Sequence, residues 1–326
     1  MTEPKVAEPG LTSMSDALHQ ELRNTVSKAG RHVRSEFESD ADGIMTTISQ
    51  AEPCWVMFDI QLVADEERLR FRVITTLDEA QRYYSEFRAT RLLAKVAHAR
   101  DMVTDWYMMS ESITDAFDPT IGASFPSHHA VLFVMRDDGI AGEIIWPRWV
   151  SKWDSSRPGK SSADAAPYNS DPETLESRLA VSEEFMEKLR ASDAAGIARM
   201  FRDECYCALP GIGSSHTAVV VCRSRTDVER YYRDLFDAYT VTDVVVLNRV
   251  VEDWYTFAEL SIQLRGRRKP DTLDIALIRS AFIFGTAADG SMVGQVGQAT
   301  PIEHRTNGPL PAAVSAVVVR ARRGDT

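Results

Sequence analysis

Apolar positions along this chain follow two periods, one helical and one alternating, and the whole succession occurs twice. Over 15–37, Leu18, Leu22, Val26, Val33 and Phe37 recur at four- and seven-residue steps, which predicts a long amphipathic helix. Asp40-Ala-Asp-Gly then opens a short helix carrying Ile44, Met45 and Ile48, with the aspartates placed to cap it. Residues 54–60 and 69–75 read as strands, 77–87 as a third helix, and 92–99, 103–113, 129–135 and 143–150 as four more strands. The last two join through Asp137-Asp138-Gly139, a hairpin signal. The second half gives helices over 172–189 and from Ser192, strands at 205–209 and 217–222, and a helix over 226–239. Strands at 241–250, 254–264, 275–284 and 292–299 complete it, the last two joined at Asp289-Gly290.

The repetition extends to the residues themselves. Segments 82–111 and 230–259 align at a constant offset of 148 without a gap, and nine of the thirty pairs are identical. Arg82-Tyr83-Tyr84 returns as Arg230-Tyr231-Tyr232, and Asp105-Trp106-Tyr107 with Glu111 returns as Asp253-Trp254-Tyr255 with Glu259. A period of that size is a domain rather than a solenoid repeat, so the chain reads as two similar folded units. Each unit runs α-α-β-β-α-β-β-β-β, an α+β pattern. We expect two tandem cone-shaped α+β barrels, each a curved antiparallel sheet with covering helices. The expected boundaries are a disordered 1–14, a first unit 15–154, a linker 155–171 rich in Pro, Gly and Ser, a second unit 172–302 and a tail 303–326 in which 312–319 could add a short element.

Composition narrows the partners. With 326 residues, 44% hydrophobic and 26% charged, the chain can build two ordinary cores. A net charge of −11 argues against an extended nucleic-acid surface, and basic runs such as 265–269 read as solvated loop charge. No run of eighteen apolar residues is present and the first fourteen residues do not form a signal peptide, so neither membrane nor export is expected and the setting is read as cytoplasmic. Cys54, Cys205, Cys207 and Cys222 lack metal-ligand spacing and are read as buried free thiols.

Taken together, the turns Asp42-Gly43-Ile44 and Ala195-Gly196-Ile197, the Tyr-Tyr helix and the Asp-Gly hairpin near each unit's end resemble the cystatin-like fold of the nuclear transport factor 2 superfamily. Its SnoaL-like branch of polyketide cyclases, ketosteroid isomerases and limonene epoxide hydrolases is the nearest in layout. The resemblance covers about 30–151 and 180–300. It implies back-to-back pairing of the two sheets, here as an intrachain pseudo-dimer, which explains why strand 130–135 is apolar on both faces. It also implies an apolar interior able to raise carboxylate pKa values and take a hydrophobic small molecule; no HExxH, GxSxG or Walker pattern appears in the sequence, so no cofactor and no metal is expected.

In that family the base follows the first strand within an Asp-Pro pair. Asp59 stands at about that place in the first unit, while the second keeps only Pro210; the alternative is a strand-end surface acid. His128 and His129 are candidates for proton transfer, against a solvated pair after a loop. Glu111 stands near a strand end where the family often places an acid, although both it and the repeated Trp are also suited to packing. Tyr84 is a hydrogen-bond donor candidate on the third helix, weighed against core packing. Glu143, near the last hairpin, is weighed as a pocket acid of the first unit against surface exposure, which is preferred, and His216 sits in a Gly-rich loop that is not a phosphate loop. The leading expectation is a cofactor-independent acid–base enzyme of isomerase, dehydratase or cyclase type acting on a hydrophobic ring-containing molecule in the N-terminal cone. The alternatives are a non-catalytic ligand-binding or assembly module and a resemblance to the small subunit of ring-hydroxylating oxygenases.

Overall fold

Each half folds in the order its pattern predicts. The first unit comprises α1 (Pro9–Phe37), α2 (Ala41–Thr47), β1 (Cys54–Gln61), β2 (Arg68–Ile74), α3 (Leu77–Thr90), β3 (Leu92–Val103), β4 (Tyr107–Asp118), β5 (Ala123–Arg136) and β6 (Gly139–Pro147). The second comprises α4 (Pro172–Arg190), α5 (Ala194–Arg199), β7 (Phe201–Pro210), β8 (Val219–Ser224), α6 (Arg225–Ala238), β9 (Tyr239–Val251), β10 (Tyr255–Gly266), β11 (Asp274–Thr286) and β12 (Met292–Ala299). Two short strands follow, β13 (Glu303–Thr306) on β11 and β14 (Val317–Val319) on β3, so the tail contacts both sheets. The structure is a computed structural model that describes residues 9–50, 53–61, 68–90, 92–118, 122–148, 171–211, 219–266, 274–287, 289–300, 303–306 and 317–319. His216 and residues 155–170 of the stretch read as a linker lie outside the described residues. No described helix is long and apolar enough to cross a membrane.

The helices begin where the caps dictate. Asp40 and Asp193 accept from the backbone N–H of Gly43 and Gly196 at 2.9 and 2.7 Å, and Asp171 accepts from that of Thr174 at 2.9 Å. The buried stripe of α1 differs from the hydrophobic one. Leu22, Thr25, Ala29 and His32 are buried, whereas Val26 is 48% and Phe37 36% exposed. The helix is thus seated through small and polar residues that a hydrophobicity pattern passes over.

The sheets are mixed and open, which corrects the expectation of cone-shaped antiparallel barrels. Their orders are β14-β3-β4-β5-β6-β1-β2 and β8-β7-β12-β11-β10-β9. β1 runs parallel to β6, pairing Trp55 with Glu143, and β7 runs parallel to β12, pairing Cys207 with Gln295. Among the described residues no ladder joins the two ends of either sheet, and a barrel requires that closure. The reason lies in how each face is covered. Helices lie on one face and the sister sheet on the other, so both faces become dry without closure.

Alternation along β5 shows the two faces. Val131, Phe133 and Met135 cluster with Leu22, Ile44 and Tyr84 beneath the helices. Ala130, Leu132 and Val134 join a cluster that mixes both units, with Tyr255, Phe257, Ile283 and Val296 from the second. Trp146, fully buried, enters a slot left by two register-paired glycines of the second sheet. A Cβ at Gly285 would lie 1.7 Å from Trp146 Cζ2, and one at Gly294 2.4 Å from Trp146 Cη2.

Polar contacts lock this interface nearly symmetrically, and they come from the repeated motif. Trp106 Nε1–H and Tyr107 O–H donate to Glu259 at 2.9 and 3.1 Å, and Tyr255 O–H donates to Glu111 at 3.1 Å. Arg279 grips Asp105 with two bonds of 3.0 and 2.8 Å, and Arg148 donates to Asp253 at 2.9 Å.

Candidate functional site

The interior of the first unit holds a connected group of polar side chains drawn from five elements. α1 supplies His32, α2 Thr47, β1 Trp55, α3 Tyr84 and β6 Glu143, and all five are buried. The parallel pairing of β1 with β6 sets Trp55 beside Glu143. Trp55 Nε1–H donates to Tyr84 Oη at 2.8 Å and to Glu143 Oε2 at 3.2 Å, and Tyr84 O–H donates to Glu143 Oε2 at 2.6 Å. His32 Nε2 lies 3.1 Å from Tyr84 Oη and 3.5 Å from Glu143 Oε2, and its Nδ1 lies 2.6 Å from Thr47 Oγ1.

The electrostatics follow from these contacts. Burial works to raise the Glu143 pKa, but the hydrogen bond and charge of His32, then the Tyr84 and Trp55 donors, outweigh it and hold the carboxyl below its ordinary value. Burial first, and the neighbouring Glu143 charge next, push the Tyr84 phenol well above its ordinary value, so it stays a donor. Chemically this is a relay. With Glu143 ionised and His32 protonated, Tyr84 donates to Glu143 and accepts from Nε2; if Tyr84 passes its proton to Glu143 and takes one from Nε2, the two charges cancel and both end groups are neutral. His32, Glu36 and Glu143 also bring possible ligand atoms within 4.8 Å of one another and are the residues that could hold a divalent cation.

The second unit offers an internal comparison. Its caps align with those of the first at an offset of 153, which puts Phe185 at the place of His32 and Met200 at that of Thr47. Tyr232 matches Tyr84, and the β7–β12 register puts Cys207 and Gln295 in the places of Trp55 and Glu143. The tyrosine still donates to its β12 partner, Gln295, at 2.8 Å, and packs against Phe185 at 6.0 Å between ring centroids. The same architecture therefore forms with none of the three ionisable or indole groups.

The candidates read from sequence fall in different places. Tyr84 lies within the relay. Glu111 and His128 meet each other, His128 Nε2 lying 2.9 Å from Glu111 Oε1, but they do so on the face toward the second unit, with Tyr255 and the Trp254 ring alongside. Burial works to raise the Glu111 pKa, while the His128 bond and charge, then Arg100 and Tyr255, bring it below its ordinary value. His129 is half-buried within β5, opposite Ser112 and Pro147. Asp59 lies on β1 opposite Arg70, two residues beyond Met57, and its side chain is outside the described residues. Glu143 is buried, against the surface exposure preferred for it and in keeping with the interior acid that was its alternative. His32 escaped the pattern because it is a polar residue on a buried stripe; aligning the two helices at their capping aspartates would have exposed it against Phe185.

No family model matches the sequence, and no curated protein matches it. Several solved structures are similar. An epoxide hydrolase/cyclase-like enzyme, SalBIII, described by its role in pyran ring formation in the polyether salinomycin, is 16% identical, with 39% of this chain and 92% of that chain covered and a TM-score of 0.33. An LEH-like epoxide hydrolase of M. tuberculosis is 13% identical, with 40% of this chain and 86% of that one covered and a TM-score of 0.31. A ketosteroid isomerase-like protein from Erwinia carotovora atroseptica is 14% identical, with 40% of this chain and 100% of that one covered and a TM-score of 0.32.

Proposed function

We propose that the chain is a cytoplasmic acid–base enzyme of isomerase, dehydratase or cyclase type that needs no cofactor. Its substrate is a hydrophobic ring-containing small molecule admitted between the helices and sheet of the first unit. One observation carries the reading: the first interior has His32, Trp55 and Glu143 where the second has Phe185, Cys207 and Gln295. A buried ionic pair is weak support for a fold, so its presence in one of two otherwise equivalent cores points to chemistry. Asp59, on the same strand as Trp55, is the proposed base. Abstraction of a proton beside a carbonyl leaves charge on the carbonyl oxygen, and Tyr84, or His32 from Nε2, donates to it while Glu143 balances the relay. His129 is the further proton-transfer candidate on β5. Glu111 and His128 are assigned to holding the two units together.

The test is deuterium uptake from D2O into a panel of enolisable cyclic ketones, with dehydration and cyclisation products followed by mass. The proposal requires turnover that falls roughly 10²-fold or more in Tyr84→Phe, the scale of a lost acid–base group. Turnover untouched by that change would refute it. The near-complete burial of the relay favours one second reading, a non-catalytic binding module, which predicts ligand binding with no exchange at all.

A further inference from the structure

We infer that Thr47 is a positioning residue that fixes the tautomer of His32, keeping a proton on Nδ1 and turning Nε2 toward the relay. The inference rests on the acid–base reading above. Thr47 Oγ1 makes two contacts of 2.6 Å, one to the carbonyl of Ile44 and one to His32 Nδ1. A hydroxyl has one hydrogen, and the Ile44 carbonyl can only accept, so that hydrogen is committed to Ile44. Toward the imidazole Thr47 is therefore an acceptor, and Nδ1 must carry a proton whether His32 is neutral or charged. Nε2 is left as the single atom that can gain or lose one, and it faces the relay.

The other groups around the ring agree. Tyr84 from α3 and Glu143 from β6 both stand at Nε2, Phe133 from β5 presents its ring at 6.1 Å, and Glu36 lies one turn further along α1. The chain just after Thr47 is held by the β5–β6 hairpin. Ser49 N–H donates to the Ile140 carbonyl at 2.8 Å, and Asp138 Oδ2 accepts from Ser49 Oγ–H and the Gln50 N–H, each at 3.0 Å. Glu143 follows three residues beyond Ile140, so one hairpin sets both ends of the relay. The second unit supplies an independent observation: where His32 becomes Phe185, Thr47 becomes Met200. The hydroxyl is lost along with the imidazole it would orient.

The test is 15N NMR of the ring nitrogens of His32, whose signals, among seven histidines, are assigned by their loss in His32→Phe. In the intact chain the proton of the neutral ring is on Nδ1 and Nε2 shows the signal of an unprotonated nitrogen. Thr47→Val, nearly isosteric, brings in the neutral Nε2–H tautomer and lowers kcat about tenfold or more with little change in KM, within the range such catalysis contributes. Thr47→Ser restores both. An intact chain that populates Nε2–H, or a Thr47→Val variant whose Nδ1 stays protonated as before, overturns the inference whatever turnover does. Turnover that survives Tyr84→Phe removes the acid–base reading and leaves the tautomer result standing.

Discussion

Giving the first unit the residues of the second, His32→Phe together with Glu143→Gln, tests whether the fold needs the ionic relay. Both groups are buried, so neither single change can be relieved by water. His32→Phe leaves the Glu143 carboxylate with the Tyr84 and Trp55 donors at 2.6 and 3.2 Å but without the imidazole at 3.5 Å. Removing one member of a buried pair costs about 3–5 kcal/mol, and replacing both by groups of similar volume ranges from neutral to about 1–4 kcal/mol stabilising. The double variant should therefore be about as stable as the parent or more so, although each single variant is weaker. The difference from additivity should be several kcal/mol, well above the ~0.3–0.5 kcal/mol scatter of independent sites. Urea unfolding of the four proteins measures it. A double variant whose loss equals the sum of the two single losses would refute the reasoning, because the relay would then be structural and its absence from the second unit unexplained.

Other outcomes follow from the same contacts. Gly285→Ala should destabilise the chain by at least the ~1–3 kcal/mol usual for overpacking, because the new Cβ meets the rigid Trp146 ring at 1.7 Å; thermal melts should show partial relief when Trp146→Ala is added. Acidification should weaken the fold through Glu143 and Glu111. Their folded pKa values lie below the ordinary 4.5, so their stabilisation is full above about that pH and is lost as pH falls through the folded values. Glu252, raised mainly by burial and then by Glu111, acts in the opposite sense, losing its contribution as pH rises through its folded value. Urea titrations across the acid range should show a shallower loss in His32→Phe/Glu143→Gln than in the parent. All four cysteines are buried, with burial pushing Cys54 and Cys222 each to about 12, so a thiol reagent should label them only on unfolding; fast labelling of the native chain would contradict the packing.

Much of the architecture was legible because duplication and periodicity report it directly. The constant offset identified two units, and the apolar runs on both faces of β5 implied a sheet covered on each side, as the mixed cluster around Leu132 and Ile283 bears out. Sheet closure was not legible. Strand order depends on β6 docking in parallel beside β1, a long-range pairing that local pattern does not encode, and the open edges followed from it. The site was harder to read because its members are distant in sequence. Tyr84 was visible through its repeat, whereas His32 lay on a stripe formed by Leu22, Thr25 and Ala29, only one of which is a large apolar residue. Glu111 and Glu259 drew notice as a repeated acid, and that repetition reflects a pseudo-symmetric interface in which each carboxylate accepts from the other unit's tyrosine.

The most direct test of the central claim, that proton chemistry belongs to the first interior and not the second, compares deuterium exchange by His32→Phe/Glu143→Gln with exchange by Tyr232→Phe on the same cyclic ketone. The account predicts loss of exchange in the first variant and near-parental exchange in the second. Exchange that survives the first change, or that falls equally with the second, would contradict it.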